Sequence, residues 1–100
     1  MPITEKVIKK IADDTGISMD ELTISGLLAF LREKKNKVMV ERLEMLARYG
    51  VTSVEEMEKR INEGAIAPEH PAWEDLILLE NLEAAIALID SNIKAIRESS

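Results

Sequence analysis

One histidine, nineteen carboxylates and no cysteine bound the chemistry open to this 100-residue chain. His70 stands between Glu69 and Pro71 with Glu74 four residues on, so the two could share a cation at a helix start. Two ligands are too few for a zinc site, and no thiolate can complete the set. Glu80 and Glu83 fall on one face of a helix, where bundle proteins hold di-iron centres. Such centres also require a Glu-x-x-His pair on each of two helices, and the sequence has none. The serines lack a Gly-rich elbow or an evident base, and no glycine loop precedes a phosphate-binding lysine. The residues therefore predict no catalytic group, no metal, no cofactor and no small-molecule substrate. They point to a chain that works by binding.

Two binding classes can be weighed at once. Ala12, Gly16 and Leu22 have helix-turn-helix spacing, with Ile11 and Ile17 at positions buried between its helices. The would-be recognition helix, however, opens Ser18-Met19-Asp20-Glu21, and its carboxylates repel phosphates unless Lys6, Lys9, Lys10 and the Arg32 to Lys37 patch outweigh them. With a formal net charge of -6 and few aromatic residues, nucleic acid is the weaker expectation, kept as the alternative. Lys6, Lys9 and Lys10 also flank a short amphipathic stretch, but Asp13 and Asp14 follow and no bulky aromatic anchors it to lipid. The longest apolar run, Ile24 to Leu31, is far too short to span a bilayer, and Met1 to Lys10 lacks the apolar core of a signal peptide. A cytoplasmic protein is expected.

The elements that would position a binding surface are helical. Only Phe30, Tyr49 and Trp73 are aromatic, so the interior must be built from Leu, Ile, Val, Met and Ala, as in helix-on-helix packing. Ile3, Val7, Ile8, Ile11 and Ala12 form a stripe ending before Gly16. Ser18 and Glu21 form a capping box, while Ser25 and Gly26 predict a kink or restart. A long helix from Leu27 to Tyr49 follows, ended by Gly50. Ser53 and Glu56 cap a short helix closed by Gly64. After a connector, Pro71 fits the first helical position of a last helix reaching about Arg97, with Glu74 and Asp75 favourably placed against its dipole. The expected fold is all-α, a single helical domain over 1–100. An N-terminal helical segment, 1–23, folds across an antiparallel hairpin, 24–98, that carries the short capping helix near 53–63.

The long helices carry complementary charge. Arg32 to Arg48 holds six basic and three acidic residues, and Glu69 to Glu98 holds seven acidic and two basic. If Tyr49 lies near Trp73 and the helices run antiparallel, Lys34 to Lys37 fall opposite Glu83 to Asp90. The last helix also carries an apolar seam, Leu79, Leu82, Ile86, Ile89, Ile93 and Ile96, in steps of three and four. Two such helices and one short one leave apolar surface over. The expected partner is a protein, either a second copy or another chain, met through Leu31, Val38, Met45, Leu79, Leu82, Ile86, Ile89 and Ile93.

Arg48-Tyr49-Gly50-Val51-Thr52-Ser53-Val54-Glu55-Glu56, then Gly64, then His70-Pro71-Ala72-Trp73-Glu74-Asp75-Leu76, resembles small helical prokaryotic proteins, common in archaea. These are encoded beside toxin-like genes and presumed to be antitoxins. The resemblance covers Leu27 to Glu98 and leaves Met1 to Thr23 unmatched. It implies a neutraliser that binds a partner protein through its helices and has no catalytic residues. The same motifs serve as caps and anchors, since Tyr49-Gly50 ends a helix and Trp73 is a large apolar plug beside a turn.

Overall fold

The computed structural model describes residues 4–66 and 71–99, and every regular element among them is an α-helix. In order they are α1 (Glu5–Thr15), α2 (Met19–Tyr49), α3 (Val54–Asn62) and α4 (Ala72–Ser99). Helices α2 and α4 form the antiparallel hairpin, α3 lies against α4 at the end where α2 stops, and α1 leans on the other end of α2. The result is a rod of 60 × 28 × 19 Å. His70, Glu69 and Ile3, singled out in the sequence, lie outside the described residues.

Local signals set most boundaries. The Ser18 hydroxyl accepts from Glu21 N–H at 3.0 Å and the Ser53 hydroxyl from Glu56 N–H at 3.1 Å, satisfying amides that have no partner within the helix. Glu56 reaches back past Ser53, accepting from the Thr52 N–H at 2.8 Å and the Thr52 hydroxyl at 2.7 Å. Those two bonds, with Arg60 nearby, hold its carboxyl below the usual glutamate range. At the end of α2, Gly50 adopts a left-handed φ of 63°. Its N–H bonds Ala47 O while Val51 N–H bonds Leu46 O, and Leu46 and Val51 meet in the core, completing a Schellman turn.

Three expectations are corrected. Helix α2 does not restart at Ser25 and Gly26 but continues as one helix through the boundary between residues 23 and 24, because an exposed Gly26 costs only about 1 kcal/mol against the gain of a long packed helix. Helix α1 packs on α2, to which Gly16 turns the chain after eleven residues. Trp73 is 54% exposed, so it plugs nothing; Ala72, Asp75 and Leu76 turn inward in its place. Helix α4 begins at Ala72, and Pro71 precedes it as the cap, its carbonyl accepting from Asp75 N–H at 2.9 Å.

The core sits at the α3 end. Leu46, Val51, Met57, Leu76 and Leu79 are buried together, with Tyr49, Val54 and Ile61 packed around them. From there α4 continues alone against α2, burying Ile89 and Ile93.

Candidate functional site

Ion pairs fix the hairpin register. Lys35 Nζ lies 2.7 Å from Asp90 Oδ1, and Arg42 Nε lies 2.6 Å from Glu83 Oε1. A seven-residue step up α2 is matched by a seven-residue step down α4, so the two contacts share one register. The long helices are antiparallel partners as expected, but of the lysines set opposite Glu83 to Asp90 only Lys35 is paired there, with Asp90, while Glu83 meets Arg42 and Lys34 is left exposed. Glu83 is committed to Arg42. Among the described residues no group of His, Asp or Glu is placed to hold a metal, and no helix is long and apolar enough to cross a membrane.

The two long edges of the hairpin differ. One is polar and shielded at its end by α3, where Arg42, Ser53, Val54, Glu55, Glu80 and Glu83 line a shallow cleft. The other edge is open and combines apolar clefts with charged residues. Near α3 it holds a cleft of about 320 Å³, in which Met45, Leu78 and Leu82 form the floor and Glu41, Glu44, Arg48 and Asn81 the rim. At the far end Ile24, Leu27, Ala95 and Ile96 line a second cleft. Leu27, Lys34, Glu41 and Arg48 are successive seven-residue steps on α2, and Leu82 and Ile96, two such steps apart on α4, each line one of the clefts. Seven residues are nearly two whole turns, so both clefts lie on one continuous edge.

This geometry divides the predicted interface residues. Leu79 at 0%, Ile89 at 5% and Ile93 at 8% exposure are consumed inside the chain and present no side chain to a partner. Leu31, Val38, Met45, Leu82 and Ile86 are half-buried. Leu27, at the start of the expected α2 face, is exposed, and so are Phe30 and Leu78, which are not among the expected interface residues. The available signal was helical spacing, with Phe30 three residues after Leu27 and Leu78 four before Leu82.

A polar cluster closes the α3 end. Tyr49 donates its hydroxyl hydrogen to Asp75 Oδ2, and Arg48 Nη1 lies 3.6 Å from the same oxygen. Burial first, then the bond to Asp75 and its charge, push the Tyr49 phenol up to about 12. The motif spanning Tyr49 to Asp75 therefore ties the two long helices together.

The sequence model of the uncharacterized protein MJ0235 family matches residues 1–100. The chain belongs to that family. Its match takes in α1, which the resemblance noted above left out, and the family's description names no activity. No curated protein and no solved structure matches the chain.

Proposed function

We propose that this family member is a non-catalytic protein–protein interaction module, working as a neutraliser of a partner protein, in the antitoxin-like manner the sequence resemblance implies, or by assembling with its own copy. One observation carries the reading: Leu78 is 52% exposed in the cleft with Met45 and Leu82, Leu27 is 49% exposed in the cleft at the far end, and Phe30, one turn along α2 from Leu27, is 60% exposed. Apolar side chains exposed in two clefts on one edge of a small rod, with charged residues between them, mark an interaction surface. A photoreactive amino acid placed at Leu82 tests it in the cell that makes the protein, with one at Glu58 on α3 as the control. A single stoichiometric product from the Leu82 position alone is expected. Equal, diffuse labelling from both positions removes the reading.

The α1–Gly16–α2 turn favours a second reading, a helix-turn-helix regulator of DNA. Asp20 and Glu21 in the first turn of α2, and the pairing of Lys10 with Asp14 at 2.6 Å, weigh against it. Retention of duplex DNA at physiological salt, lost when Lys9 and Lys10 are replaced by Ala, is the result that would promote it.

A further inference from the structure

We infer that the open edge is occupied by the same edge of a second copy, with the two α2 helices antiparallel about a twofold axis between Lys37 and Val38. This names the partner of the interaction module proposed above and rests on that reading.

Charge carries the first step. Lys34 and Glu41 stand seven residues apart on the edge, and among the described residues neither has an ionic partner, although Lys35 and Arg42 beside them are both paired across the hairpin. Laid antiparallel on its own copy, Lys34 meets the second copy's Glu41. The twofold axis then brings Glu41 to the second copy's Lys34, so one register satisfies all four charges. Like charges would meet if the axis passed through Glu41, since Lys34 would then face Arg48.

Shape carries the second step, in the same register. Phe30, four residues before Lys34, is brought to Met45, four residues after Glu41. Phe30 is 60% exposed, and Met45 lies on the floor of the cleft of about 320 Å³ with Leu78 and Leu82. An exposed ring meets an open apolar cleft, and symmetry makes the contact twice. Size is the third step. The paired stretch of α2 and α4 is about 40 Å long and two helices wide, roughly 800 Å² per copy, the area that one side of a stable interface buries.

Light scattering on the full chain gives the test. The wild type is expected at twice its 11.2 kDa chain mass at micromolar concentration. Lys34→Glu or Glu41→Lys alone turns two attractions into two repulsions and raises the dimer dissociation constant about tenfold, and the double exchange restores it. Phe30→Ala weakens the dimer by a similar factor. Lys34, Glu41 and Phe30 are all surface residues, so circular dichroism should show unchanged helix content. A dimer indifferent to both charge reversals overturns the proposal. So does a monomer at every concentration; if Leu82 then still yields a single crosslinked product, the interaction module stands with another protein as its partner, and if it yields none, both fall.

Discussion

Tyr49, the last residue of α2, hydrogen-bonds through its hydroxyl to Asp75 in the first turn of α4, joining the ends of the two helices that make up the rod. The loop between them contains α3 and the connector, so this bond is a direct link between segments 26 residues apart. It fixes the end of the hairpin on which the core is built.

The chain has one tyrosine, so tyrosinate absorbance reports this position alone. In the native protein the phenol should titrate near 12, against 10.0 for the free group. A raised folded value means the stabilisation is fully present below the unfolded value and is lost as pH climbs between the two. Tyr49→Phe should cost about 1–2 kcal/mol at neutral pH and flatten that alkaline decline. A native titration midpoint near 10 would dismiss the link.

Glu56 gives the opposite sign at acid pH. Its folded value is lowered by the Thr52 bonds, so its contribution is present above the ordinary glutamate value of 4.5 and is lost as pH falls below it. Thermal melts from neutral to about pH 3 should show a steeper acid decline for wild type than for Glu56→Gln. Identical slopes would mean that the cap bonds do not hold in solution.

Gly26 inside α2 and Gly50 just beyond its end should behave oppositely. A Cβ on Gly26 meets nothing within 4 Å, so Gly26→Ala should stabilise by about 1 kcal/mol. Gly50 holds a φ of 63°, so Gly50→Ala should destabilise by about 1–2 kcal/mol. Urea melts that moved in the same direction for both would contradict the unbroken α2.

Apolar residues of α4 separate by their place on the helix. Leu79→Ala should cost about 2–5 kcal/mol, since Leu79 is wholly enclosed. Ile77, 57% exposed, should change stability by no more than about 0.5 kcal/mol when replaced by Ala. Equal costs would place the core on a different face of α4.

What the sequence by itself determined is what short-range chemistry decides. Ser18, Ser53, Gly16 and Gly50 mark helix ends because a hydroxyl or a missing Cβ acts within one turn. The basic excess of one long helix and the acidic excess of the other mark them as partners because opposite charges favour facing each other, whereas the pairing of Lys35 with Asp90 and Arg42 with Glu83 was decided by the packed register. Tertiary structure alone decided how the apolar residues are shared out. Helix α4 is apolar on more than one side, with Leu79 and Ile93 inside and Ile77 and Leu78 outside, so period alone leaves open which side α2 covers. Nor could the pattern show that Gly26 is carried through a continuous helix, or that Asp75 turns inward to Tyr49. Those outcomes depend on groups distant in the chain, whose packing outweighs a local cost of about 1 kcal/mol.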